Sequence, residues 1–180
     1  SEEVVNSWIN VLKQTENSYL WLKISNKIAK KNLICHFKSN NIDIKRILFA
    51  EKVDLYSEHI SRYSKADLFL DTFNFNGHST LVECIWSELP FITLAGESFA
   101  SRVGASILYS LGLSELIAKS KVEYVEKIIF YTKNLDKLAT FKNQIIKQKK
   151  EGDFFNQKLF VNQLEEKFRD CVKSNNPPKN

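Results

Sequence analysis

The sequence predicts an α/β fold: a Rossmann-like parallel sheet with helices on both faces, followed by C-terminal helices. Three observations carry this reading. Short apolar runs alternate with segments of helical period over the first two thirds of the chain. The runs are continuously apolar, the pattern of strands covered on both faces. Breakers stand where elements should stop, notably Pro90, Gly96 and Gly112.

The elements follow in order. Val4, Val5, Trp8, Ile9 and Leu12 share one helical face. After the polar break 14–18, residues 19–22 read as a strand. A helix is expected over 28–37 and a second strand over 46–49. Residues 56–64 read as a short helix and 68–70 as a third strand. The next helix covers 80–89 and is ended by Pro90, with a strand over 91–94. A turn at 96–98 leads into a helix over 99–111 that stops at Gly112. A short fifth strand is expected at 116–118. Beyond it the period is helical, with faces formed by Val122, Val125, Ile128 and Ile129, by Leu138, Phe141 and Ile145, and by Val161, Leu164, Phe168 and Cys171.

With 180 residues the chain reads as one domain: a nucleotide-sugar-type core over 1–120, helices over 121–173 and a frayed tail over 174–180. The start at Ser1, already in helical stride, points to a piece of a longer polypeptide. Apolar residues make up 43% of the chain and include 13 Phe, which sets disorder aside. No run is long enough for a membrane span. The net charge of +5 comes mostly from dispersed lysines, with four Arg and one cluster at Lys147, Lys149 and Lys150. That distribution reads as a solvated helix face, and no nucleic-acid module accompanies it. Cys35, Cys84 and Cys171 are widely spaced and odd in number, as expected of a reducing, cytoplasmic setting without a metal motif.

In an open parallel sheet, ligands bind beyond the carboxyl ends of the strands. The most informative segment there is 67–83, which reads as strand, Asn/Gly loop and helix. Its helix opens on Ser79 and Thr80 beside His78, and free backbone N–H groups at such an end attract anions. Glu83 lies one turn in, placed to accept from sugar hydroxyls near a bound phosphate. The plain alternative is helix capping by Ser79 with Gly77 as the turn residue. It leaves His78 and Glu83 unexplained. On the preceding helix, His59 and Arg62 share a face, with Tyr56 nearby and Ile60 and Tyr63 on the buried side. An imidazole or tyrosine ring there can stack on a base, and Arg62 can donate to a carbonyl or phosphate. Ala100, Ser101, Gly104 and Ala105 allow close approach of the next helix. Phe73, Phe75, Phe154 and Phe155 are expected in the core or in other hydrophobic contacts. Walker, GxSxG, HExxH and GxGxxG motifs do not occur.

These segments together resemble the C-terminal catalytic lobe of the O-GlcNAc transferase/SPINDLY family, in particular bacterial members in which tetratricopeptide repeats precede the catalytic region. The likeness runs from about Trp8 to Phe168. It is carried by Glu58, His59 and Arg62; by Ala66, Asp67, Leu70, Asp71 and Thr72; by Asn76 to Thr80; by Gly96, Glu97, Ala100, Ser101, Arg102 and Val103; and by Leu116 to Lys119. The resemblance implies a GT-B architecture and a UDP-sugar as donor substrate, with no further cofactor. His59 and Arg62 would meet the uracil end, His78, Ser79 and Thr80 the diphosphate, and Glu83 the ribose. It also implies a protein or peptide acceptor, and an upstream lobe without which this chain is expected to catalyse nothing. The chain departs from O-GlcNAc-type relatives at Tyr56, where they often carry Lys, and at Ser79 and Glu83, which replace Thr and Asp. Two other readings stand beside this one: a non-catalytic nucleotide-binding or partner-docking module, and a lysine-rich scaffold for acidic partners.

Overall fold

The protein is described from a computed structural model covering residues 1–175. Helix α1 (Glu2–Gln14) leads through a tight turn into β1 (Leu20–Leu22). Helix α2 (Lys27–Ser39) then connects to β2 (Ile47–Phe49), which pairs with β1 in parallel, Leu20 opposite Ile47. After α3 (Tyr56–Ser61) come β3 (Phe69–Leu70), α4 (Ser79–Trp86), β4 (Phe91–Leu94), α5 (Val103–Ser110) and β5 (Ile117–Ala118). β4 is flanked by β3 and β5, both parallel to it. Helices α6 (Lys121–Lys133), α7 (Leu135–Glu151) and α8 (Gln157–Asn175) complete the chain. This is the Rossmann-like arrangement that the alternating runs predict. Its strands fall into two groups, β1–β2 and β3–β4–β5, with no pairing between them.

Helix α1 explains how the two groups hold together. Its residues Val4 and Val11 belong to the core around β3, β4 and β5, while Ile9 and Leu12 belong to the core around β1 and β2. Trp8 packs against both. Each of these buried aliphatic side chains contributes on the order of 1.5–3 kcal/mol, so α1 is a strut between the groups. At its end, Arg46 donates to the carbonyls of Thr15 (2.6 Å) and Ser18 (2.9 Å), fixing the turn into β1.

Helix α4 ends before Pro90 is reached. Glu88 adopts φ 64°, and the Leu89 N–H donates to the Cys84 carbonyl at 2.9 Å, a Schellman-type stop built on a non-glycine residue. The far end of the chain also differs from expectation. Helix α8 continues through Ser174 to Asn175, and the rest of the expected tail lies outside the described residues. Its apolar positions Phe160, Leu164, Phe168 and Val172 are exposed. Among the described residues no helix is long and apolar enough to cross a membrane.

Candidate functional site

The site begins with Asp71, at the end of β3. The residue is 1% exposed, and its carboxylate accepts from the N–H of Thr72 (2.9 Å), the N–H of Gly77 (2.8 Å) and the Thr93 hydroxyl (2.6 Å). Burial outweighs these three donors and pushes its pKa up to about 6. Its own carbonyl accepts from the Tyr124 hydroxyl at 2.8 Å, and the Tyr124 ring stands edge-on to Phe73 at 5.0 Å. Asn76, fully buried, donates to the Thr72 carbonyl (2.7 Å) and accepts from the Gly104 N–H (3.0 Å). The loop from Thr72 to Gly77 is therefore pinned to β4, α5 and α6 before it delivers the chain to α4.

At the start of α4 the capping reading fails. The N-cap is His78, not Ser79, and no side chain caps the end. The N–H groups of Leu81 and Val82 both reach the His78 carbonyl at 3.2 Å. Those of Ser79 and Thr80 have no acceptor among the described residues. Two free N–H groups at the positive end of a helix dipole are able to donate to an anion. The His78 ring is stacked on Phe75 at 4.8 Å and edge-on to Phe99 at 6.1 Å, with its Nε2 buried and unpartnered. Of the two phenylalanines expected in the core or in hydrophobic contacts, Phe73 is buried and Phe75 is exposed, its contact being the His78 ring.

One turn along α4, Glu83 gathers the groups presented by α3 and the turn after it. Its Oε1 accepts from the Tyr56 hydroxyl at 3.3 Å, and its Oε2 accepts from the Tyr63 hydroxyl at 3.0 Å and meets His59 Nε2 at 3.2 Å. Burial raises the pKa values of both tyrosines, followed at Tyr56 by Glu83 and at Tyr63 by Cys84 and then Glu83. His59 Nδ1 is buried without a partner. Tyr63, half-buried against the core as expected, also enters this cluster through its hydroxyl. Its position four residues after His59 was the available signal, since that spacing shares a helical face. Arg62 does not join: its guanidinium donates to the Glu51 carbonyl. The structure thus unites Tyr56, His59 and Glu83, sets His78, Ser79 and Thr80 at the adjoining helix end, and leaves Arg62 to the side. Among the described residues no three His, Cys, Asp or Glu converge as metal ligands.

Comparison with known proteins identifies the family and the fold. The sequence model of glycosyl transferase family 41 matches residues 2–164. A UDP-N-acetylglucosamine–peptide N-acetylglucosaminyltransferase of Caenorhabditis elegans is 32% identical over 162 residues, covering 90% of this chain and 14% of that protein. A probable enzyme of the same description in Arabidopsis thaliana, SEC, is 32% identical over 167 residues, 92% of this chain and 17% of its own. The Arabidopsis protein named probable SPINDLY is 29% identical over 127 residues, 69% and 14%. The chain thus spans less than a fifth of these relatives' length. A solved structure of a lysine-to-methionine mutant of the Thermobaculum terrenum O-GlcNAc transferase superposes with TM-score 0.87 at 23% identity, over 93% of this chain and 33% of that one. The shared fold is a GT-B-like C-terminal lobe.

Proposed function

This chain belongs to glycosyl transferase family 41, and from that premise we propose that it is the donor-binding lobe of a UDP-sugar-dependent protein O-glycosyltransferase, inverting and metal-independent. The observation that carries the reading is the pair of free N–H groups at Ser79 and Thr80, with His78 as the N-cap residue before them and Glu83 one turn away. The diphosphate sits at the helix end, where N–H groups, hydroxyls and the imidazole donate to it. The same donors stabilise charge on the departing UDP, and being preorganised they need no rearrangement as that charge develops. The ribose hydroxyls lie at Glu83. Its contact with Tyr56 is the longest of the three and that tyrosine is the most exposed partner, so Tyr56 is the one that yields. The base lies along His59. Arg62 reaches it by giving up the Glu51 carbonyl.

The acceptor is a protein hydroxyl, and the second wall of the cleft comes from an upstream lobe preceded by tetratricopeptide repeats. We assign no catalytic base within this chain. The three free cysteines fit a cytoplasmic setting.

Calorimetric titration with UDP, GDP and ADP tests the reading. UDP is expected to bind in preference to the other two. His78→Ala and Glu83→Ala should each weaken it about 10- to 100-fold, the loss of one charge-assisted contact. A folded chain that binds all three nucleotides alike, with both variants unchanged, would refute it.

A further inference from the structure

The three groups that meet Glu83 are not equivalent. Its Oε2 accepts from the Tyr63 hydroxyl at 3.0 Å and meets His59 Nε2 at 3.2 Å. Among the described residues its Oε1 accepts only from the Tyr56 hydroxyl, at 3.3 Å. A carboxylate oxygen offers about two acceptor sites, so Oε2 is filled by protein groups and Oε1 keeps one place open. The two sides differ in rigidity as well. Tyr56 is 66% exposed, and no residue of α3 is buried. Tyr63 opens the short turn Tyr63–Lys65 after α3, and its half-buried ring packs against the core around β3, β4 and β5. His59 stands edge-on to that ring at 5.5 Å. Burial raises the Tyr63 pKa above its ordinary value, so the phenol keeps its proton and remains a donor at neutral pH.

We propose that Tyr63 is a positioning residue for the nucleotide: by holding Oε2 of Glu83, it turns the carboxylate so that Oε1 is the oxygen offered to the ribose hydroxyls. The assignment rests on the donor-binding reading above and adds to it a residue that acts through Glu83. A glutamate side chain without partners samples many rotamers, and ordering it at the moment of binding costs entropy that weakens the complex. Here the order is set beforehand. The Tyr63 ring is rooted in the core at one end and bonded to Oε2 at the other, so the carboxylate takes its place from the sheet and not from the exposed helix α3.

The two tyrosines therefore have opposite parts, although both donate to one carboxylate. Tyr56 covers Oε1 through the longest of the three contacts and from an exposed ring, and a ribose hydroxyl takes its place. Tyr63 stays. The sign of its effect separates this role from simple competition. If the Tyr63 hydroxyl only competed with the nucleotide for Glu83, removing it would free a second oxygen and tighten binding. If it positions the carboxylate, removing it leaves Oε2 with His59 alone, lets the side chain turn, and weakens the ribose contact.

The test is calorimetric titration of the wild type, Tyr63→Phe and Tyr56→Phe with UDP and with dideoxy-UDP, which keeps the base, the sugar ring and both phosphates but lacks the ribose hydroxyls. Phenylalanine keeps each ring, and urea unfolding reports that each variant is folded. The wild type should prefer UDP by about 10-fold or more. Tyr63→Phe should cut that preference about fivefold or more while leaving dideoxy-UDP affinity nearly unchanged. General loosening of the site would weaken both nucleotides alike. Tyr56→Phe should keep the preference or raise it. A preference that is unchanged or larger in Tyr63→Phe would overturn the assignment alone. A wild type that binds both nucleotides equally would remove the ribose from Glu83, and the assignment would fall together with that part of the donor reading. If Tyr63→Phe does not fold, Tyr56→Phe decides: a preference kept or raised supports Oε1 as the oxygen offered to the ribose, and a reduced one rejects it.

Discussion

Replacing Asp71 by Ala should destabilise the protein by about 3–5 kcal/mol, whereas Asp71→Asn should leave it at least as stable at pH 7. The alanine removes the acceptor of three inward-pointing donors, on Thr72, Gly77 and Thr93. Each donor stranded in a buried site costs about 1–3 kcal/mol. Asparagine can keep all three contacts. Its carbonyl oxygen takes the place of Oδ1 and accepts from Thr72 and Gly77. Its amide donates to Thr93, whose hydroxyl is free to turn.

The amide also removes a charge that the site holds at a cost. Asp71 titrates at about 6 in the folded protein against an ordinary 3.8. The native state therefore binds the proton more tightly than the unfolded chain. At pH 7 ionisation sets stability back by up to about 3 kcal/mol, at about 1.36 kcal/mol per unit. Lowering the pH through 6 towards 4 restores that stability in the wild type and not in Asp71→Asn. The stability difference between the two, from urea unfolding at pH 7, 6 and 5, should shift towards the wild type as pH falls. A difference that is flat across this range would mean that Asp71 does not carry the titration.

The Asp71 network shows where sequence reasoning stops. The strands and most helices were legible because burial on both faces writes a continuous apolar run and helix packing writes a 3.6-residue period, both local signals. Residues 91–94 were legible for that reason, as was the stop at Gly112, whose φ is 69°. Three features are decided by tertiary partners. Glu88 terminates α4 in a conformation usually reserved for glycine, while its carboxylate pairs with Lys149 at 3.2 Å. Tyr63 reads as core from its own helix and becomes a Glu83 partner only when α3 is docked on α4. Phe75 reads as core or hydrophobic contact, and the pinned Asn76 turns the loop so that its ring faces solvent and stacks on His78. His78 and Glu83 were legible as a site because capping could not account for them. How Glu83 is already occupied, by two tyrosines and an imidazole, was not, since those partners lie 20–27 residues away in sequence.

Gly104→Ala should be the second most damaging small change, at about 2–3 kcal/mol, although the substitution ordinarily favours a helix by up to about 1 kcal/mol. A methyl at this position of α5 would lie 2.6 Å from the Thr93 hydroxyl oxygen and 2.7 Å from Asp71 Oδ2, both buried and held to each other. Neither can swing aside as a flexible surface group would. Helix α5 would have to retreat from β4, and the Gly104 N–H would move away from the Asn76 side-chain Oδ1 that it now meets at 3.0 Å. The loop leading to His78, Ser79 and Thr80 loses that anchor, so nucleotide affinity should fall together with stability. Coupling identifies the cause. In the double variant with Asp71→Ala, one of the clashing atoms is gone, and the combined loss in urea unfolding should be smaller than the sum of the single losses by about 1 kcal/mol or more. Additive losses would show that Gly104 acts through helix packing elsewhere, and that its contact with the Asp71 network is not what fixes the approach of α5 to the sheet.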